Sequence, residues 1–359
     1  MDALQLARWR LETLGLTGAR FDTPEAVVGW LLAVQSQDFG PAVWAVGQRL
    51  EDGTAEVVED SFAAGRILRT HVLRPTWHFV SPDDIRWLLN LTGPRVHALN
   101  AGIYRQEGLD MEMRRRTETI IRRALEGGGE LTRGEIAERL ATEGIEAARL
   151  RLAYIVMHAE LEGLICSGAM RGKQHTYGLL DERAPLGRAV SREEALIELT
   201  RRYFTSHGPA TVKDCARWAS LTLADVRAGL EGASPDLENV VVDGAEYWVA
   251  AGEPSRGVPR VQLLQGYDEY IVGYTESKWL LNLSGRAATM GSRPVANGVV
   301  LAGTQVAGHW KRAMARTSVN FEIALYEPLD RAGAEALRSA VDRHGKFLSR
   351  KADFTVRTI

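Results

Sequence analysis

The stretch whose residue types and spacing could do chemistry is Gln35-Ser36-Gln37-Asp38. It follows the apolar run Leu31-Leu32-Ala33-Val34 and precedes Gly40-Pro41. That order predicts an apolar helix running into polar residues and breaking at the Gly-Pro pair. In a helix, residues two apart project about 200° from one another. In an extended segment they share a face, and the nearby breaker favours that geometry for at least one glutamine. Two amides would then converge on one point, each offering a carbonyl acceptor and an amino donor. The plainer alternative is the polar end of a helix.

The usual catalytic constellations are missing. There is no P-loop, GxSxG or HExxH, and the eight histidines show no metal-ligand spacing with the cysteines. Only Cys166 and Cys215 occur, without a CxxC partner. A disulfide framework and a cysteine-based zinc site are therefore not expected, and a reducing cytoplasm fits. Hydride transfer, nucleotide hydrolysis and metalloproteolysis are disfavoured, and neither a metal nor a cofactor is expected.

The elements that must position the glutamines repeat along the chain. An amphipathic helix near 4–15 is expected, then a helix opened by Thr23-Pro24, with a threonine cap and proline in the first turn. Helices near 41–50 and 54–64 follow. Ile67–Val72 and Thr76–Val80 read as strands joined around Arg74-Pro75, and Trp77 and Phe79 are expected in the core, opposite His78. A second round has helices near 110–126 and 146–162, a capping box at Thr132 and Glu135, and a hairpin with Arg171-Gly172-Lys173 at its tip. A third has helices at 191–206 and 223–230, with a hairpin across Asp243-Gly244. The expected fold is mainly α with small β-hairpins, an α+β chain. It comprises three tandem winged helix-turn-helix units at 1–91, 92–190 and 191–252, followed by a C-terminal β-rich module with a final helix at 253–359.

Composition fits a water-soluble globular protein, with 45% apolar and 25% charged residues. No run approaches the roughly 18 apolar residues of a membrane span. Charges within the N-terminal apolar pattern predict a helix there and not a signal peptide. The net charge of −2 hides an asymmetry: no Asp or Glu lies between Glu276 and Glu322, where an even spread would place about six. That window holds Lys278, Arg286, Arg293, Lys311, Arg312 and Arg316, a local field suited to phosphates.

Several of these segments resemble the AlkZ/YcaQ family of winged-helix DNA glycosylases. They are Gln35-Ser36-Gln37-Asp38, Trp44-Ala45-Val46-Gly47-Gln48-Arg49, Arg74-Pro75-Thr76-Trp77-His78-Phe79-Val80, the Tyr267–Tyr274 stretch and the Leu301–Trp310 hairpin. The family signature is a glutamine, a small or apolar residue, then glutamine or aspartate. It falls on Gln35 and Gln37, the glutamine branch, with Ser36 as a minor departure.

The resemblance implies a monofunctional glycosylase that hydrolyses the N-glycosidic bond of N7-alkylated purines in double-stranded DNA. In some members these purines bear bulky or cross-linking adducts. Gln35 and Gln37 would be the catalytic pair that holds the water. Asp38 is either a third acceptor or the cap of the helix end, and His78 either orients the water or packs in its strand. Arg74, Arg171, Lys173, Lys311, Arg312 and Arg316 would contact DNA. Three unequal repeats in one chain favour a monomer on one duplex. A non-catalytic winged-helix regulator or lesion-binding protein is the alternative, and it would normally be a symmetric dimer.

Overall fold

The computed structural model describes residues 1–18, 20–184, 186–252, 257–287 and 298–359. Arg293, counted in the acid-free window, lies outside them. The first unit comprises α1 (Ala3–Thr13), α2 (Pro24–Leu31), β1 (Ala33–Gln35), α3 (Phe39–Gly47), α4 (Ala55–Ala63), β2 (Leu68–His71) and β3 (Trp77–Val80). Thr23 and Thr54 cap α2 and α4 through their hydroxyls. The helix expected to carry the glutamines stops earlier than its apolar run. Leu32 adopts φ 65°, a left-handed turn that costs a branched residue about 1–2 kcal/mol and redirects the chain into β1. Gln35 is therefore a strand residue. Gly40-Pro41 does not break a helix; it sits in the first turn of α3, where proline lacks only a donor the helix does not use.

Helix α5 (Ile85–Gln106) runs through residues 91 and 92, so a continuous helix joins the first two units. The second unit has α6 (Met111–Leu125), β4 (Leu131–Thr132), α7 (Arg133–Thr142), α8 (Arg149–Leu161), β5 (Ile165–Ser167), β6 (Thr176–Leu179) and α9 (Leu180–Arg183). The capping box of Thr132 and Glu135 is present. The third has α10 (Arg192–His207), α11 (Val212–Trp218), α12 (Leu223–Ala233), β7 (Leu237–Val242) and β8 (Ala245–Ala250). Asp243 and Gly244, at φ 51° and 78°, form the primed turn between β7 and β8. The last part has β9 (Val261–Leu264), α13 (Glu269–Val272), β10 (Gly298–Ala302), β11 (Gln305–Met314), β12 (Ser318–Leu325), α14 (Arg331–Phe347) and β13 (Lys351–Thr358). Its strands form one sheet in the order β13-β12-β11-β10-β9, antiparallel except for the β12–β13 pair.

The fold is thus an α+β mixture in which helices dominate and the sheets are small. One apolar core runs from Leu11 and Val28 through Tyr203 and Trp218 to Leu264, Phe321 and Phe347. The second unit is built on a core of its own around Ile121, Leu140, Ile155 and Tyr177. Where β2 meets β5 and α8, the two cores adjoin, and Gln37 opens at that seam.

Candidate active site

Three strands in the order β1-β3-β2 fix the geometry. Gln35 lies opposite His78 in the β1–β3 register, and the Ser36 N–H donates to the Trp77 carbonyl at 2.7 Å. Gln35 is 7% exposed, whereas Gln37 is exposed. The Gln35 side chain is held through its oxygen: Arg74 Nη2 donates to Oε1 at 3.1 Å. The same Nη2 lies 3.0 Å from His78 Nε2, and His78 Nδ1 is 2.9 Å from the Thr76 carbonyl. Since arginine only donates and a carbonyl only accepts, the ring carries its proton on Nδ1 and accepts at Nε2. Burial, reinforced by Arg74, pushes the His78 pKa down to about 3. Arg74 also donates to the Trp218 carbonyl.

Beneath this layer Glu269, 1% exposed, ties together three parts of the chain. It accepts from the Gln35 N–H at 3.0 Å, from Trp218 Nε1 at 2.8 Å and from His207 Nε2 at 3.4 Å. Burial alone would raise its carboxyl. Its bond from His207, the charge of Arg74 and the Gln35 N–H outweigh that and hold it at about 2. Its neighbour Asp268 is fully buried and receives both terminal nitrogens of Arg49 at 2.9 Å and Gln48 Nε2 at 2.8 Å. The adjacent acids therefore tie α13 to the first unit at two places, β1 and the end of α3. Gln265 Nε2 reaches the Gln35 carbonyl at 3.5 Å. Ser36 Oγ and Gln265 Oε1 are buried with no partner among the described residues, a condition that costs stability.

Gln37 faces a different environment. Its Oε1 accepts a long bond, 3.4 Å, from the Trp77 N–H. It lines a pocket of about 360 Å³ with Arg69, Trp77, Arg133, His175 and Tyr177. Trp77 is not a core residue: Nε1 donates to Glu160 at 3.1 Å, and Arg69 lies 4.5 Å over its ring. Arg69 Nε donates to the Ser36 carbonyl at 3.1 Å, holding the residue between the glutamines. Asp38 occupies the position before α3 without a side-chain capping bond. It begins a helix, and its exposed carboxylate remains available.

The basic residues expected on DNA divide. Arg74 is engaged inside the protein by Gln35, His78 and the Trp218 carbonyl. Arg171 is paired with Glu135 at 2.7 Å. Arg312 lies 2.5 Å from His344 Nε2 and packs near Gly40, so it braces the start of α3. Arg286 pairs with Glu327. Lys173, Lys311 and Arg316 are exposed, although Lys311 faces Glu322 across the strand register. The sequence reading gave no role to Glu269, His207, Trp218 or Arg69. The one available signal was Asp268-Glu269, two acids inside an aromatic and apolar stretch, where buried and paired carboxylates are the expected explanation.

The buried histidine has a measurable consequence. The folded pKa of His78, about 3, lies below its ordinary 6.5. As the pH falls the unfolded chain therefore binds the proton first. The stability tied to the neutral ring is fully present above about pH 6.5 and is lost as the pH falls towards 3, at up to about 1.4 kcal/mol per pH unit. Urea unfolding between about pH 7 and 5 should show this loss, and His78→Gln should flatten it by about that slope. An unchanged slope would assign the titration to other groups.

Comparison with known proteins agrees with the resemblance. The family described as DNA glycosylase AlkZ-like matches residues 28–347. An interstrand DNA cross-link repair glycosylase of Streptomyces sahachiroi is 26% identical over 327 residues, covering 86% of this chain and 87% of that protein. The solved structure of the Streptomyces sahachiroi DNA glycosylase AlkZ shares the fold, with a TM-score of 0.81 and 21% identity over 100% of both chains. With the match running from within α2 to the last residue of α14, the chain belongs to the AlkZ-like family of DNA glycosylases, enzymes of DNA repair.

Proposed function

We propose that the protein hydrolyses the N-glycosidic bond of N7-alkylated purines in duplex DNA, with Gln35 and Gln37 positioning the attacking water. The observation that carries this is the mounting of Gln35. Its amide is fixed by Arg74, its backbone by Glu269 and its strand by pairing with His78, two residues before an exposed Gln37 at the mouth of a pocket. Alkylation at N7 makes the base cationic, so it departs neutral and needs no acid. What remains is to hold water against C1′ and to meet developing positive charge with carbonyl dipoles. Paired carboxylates do this work in ordinary glycosidases. Amides are weaker and suffice only for a bond already labile, which spares undamaged DNA.

In this reading the three helix-and-hairpin units are winged helices of a monomer lying along one duplex. His175, half-buried in the wall of the Gln37 pocket, offers a flat surface on which a bulky adduct or the lesion base stacks. The name of the Streptomyces relative makes cross-linked purines a natural extension of the substrate range. Incubation with a duplex carrying one N7-methylguanine should produce an abasic site. No release from that substrate, nor from a bulkier N7 adduct, would overturn the reading.

The β11–β12 hairpin supplies phosphate contacts in the same account. Lys311→Ala with Arg316→Ala should weaken binding to damaged and undamaged duplex alike. The slope of log affinity against log salt should fall by roughly two phosphate contacts' worth. An unaltered slope would mean that these side chains face only solvent.

A further inference from the structure

A second cluster lies between α5, α6 and α8, on the second unit, and the chemistry proposed for Gln35 does not use it. His97, His158 and Glu162 each bring one ligand atom within 4.8 Å of the others. His97 Nε2 is 3.1 Å from Glu162 Oε1, and His158 Nδ1 is 3.9 Å from the same oxygen. An ion bound tetrahedrally by nitrogen and oxygen at about 2.0–2.2 Å spaces its ligand atoms roughly 3.3 Å apart. Small side-chain rotations reach that spacing. The sequence showed no metal-ligand pattern because the two histidines lie on different helices, far apart in the chain.

The surroundings of His158 give the cluster its direction. The residue is 3% exposed. Its Nε2 is 2.6 Å from Glu118 Oε1, and that carboxylate accepts a bond from Nε2–H, which keeps the ring proton on Nε2. Its Nδ1 then carries a lone pair, buried, with no hydrogen-bond partner among the described residues. A buried lone pair without a donor is a cost that a metal ion removes. A histidine donating its far nitrogen to a carboxylate is the usual outer arrangement of a metal site. His97 has the matching device, with Nδ1 2.9 Å from the Tyr104 hydroxyl. It can hold its proton there and present Nε2. Arg114, 4.8 Å over the Tyr104 ring, faces the cluster, Arg115 and Arg122 lie near Glu118, and the carboxylates of Glu118 and Glu162 oppose them.

We propose that His97 Nε2, His158 Nδ1 and the Glu162 carboxylate form a binding site for a divalent ion of the zinc class, with Glu118 orienting His158 and water as the fourth ligand. Two imidazoles and one carboxylate suit zinc over magnesium or calcium. Bound there, the ion clamps α5 to the end of α8. This site is independent of the glycosylase reading.

The test uses the full chain, stripped with a chelator and titrated with Zn²⁺ against a chromophoric competitor. One equivalent should bind saturably and raise the melting temperature by a few degrees, and Co²⁺ should give the visible absorption of a tetrahedral site. His158→Gln and Glu162→Ala should each abolish that equivalent. Glu162 is 48% exposed in its side chain, so its variant does not endanger folding. Glu118→Ala should weaken binding about ten- to a hundredfold. No saturable equivalent, or the same binding in His158→Gln and Glu162→Ala, overturns the site and leaves the base-excision proposal untouched.

Discussion

Glu269→Ala should lower the stability of the whole protein by at least about 3–5 kcal/mol, the usual cost of removing one partner of a buried charge arrangement. The carboxylate is 1% exposed and accepts from the Gln35 N–H, Trp218 Nε1 and His207 Nε2. Its loss strands those donors and leaves Arg74, whose charge it opposes, without compensation. Against a typical total of about 5–15 kcal/mol, this is a large share. Because Glu269 also fixes the backbone of Gln35, base excision should fall with it. Glu269→Gln preserves shape but turns an amino group towards donors, so it should be destabilised as well. Urea unfolding followed by tryptophan fluorescence checks this, and a wild-type midpoint for Glu269→Ala would contradict the keystone role. The pH dependence has a definite sign. The folded pKa of about 2 lies below the ordinary 4.5, so the contribution is present above about pH 4.5 and is lost as the pH falls towards 2. At neutral pH Glu269 does not titrate.

Gln35→Ala and Gln37→Ala should slow base release similarly while differing in stability. Loss of a group that acts on developing charge typically costs about 10²–10³ in rate. A cationic leaving group lowers the barrier, which places these variants at or below that range. Gln37 is exposed and makes one long bond, so its removal should change stability by less than about 0.5 kcal/mol. Gln35 is buried and accepts from Arg74. Deleting that acceptor should cost about 1–3 kcal/mol, softened by the bond that Arg74 keeps to His78. Single-turnover excision and thermal melts on the same preparations separate the two effects. Gln37→Asp, which imports the residue of the family's other branch, should keep activity.

Much of the scaffold was legible because its signals are local. Thr23-Pro24, the Thr132 and Glu135 pair and Asp243-Gly244 each fix a helix start or a turn through bonds made within a few residues. The glutamine pair was legible from type and spacing, and its family resemblance from its place before the Trp77-His78 strand. The geometry around it was not. Leu32 turns left-handed against its own preference, which no local pattern announces, so the sequence of β1 looks like the tail of a helix. The inward use of Arg74 depends on Trp218, far along the chain. The same is true of Glu269 and Gln35, brought together only when the C-terminal module docks on the first unit. His97 and His158 meet for the same reason, by helix packing and not by spacing.

In the proposed chemistry two amides share one water. The sharpest test of that sharing is the single-turnover release of N7-methylguanine from duplex DNA by the Gln35→Ala/Gln37→Ala double variant, measured beside both single variants and the wild type at saturating enzyme. Groups that act as a unit are strongly non-additive. The double variant should therefore be only a few-fold slower than the slower single, with DNA affinity unchanged and release far below the wild-type rate. Wild-type release by the double variant would contradict the account and move the chemistry to another group, with the exposed carboxylate of Asp38 the next to be replaced.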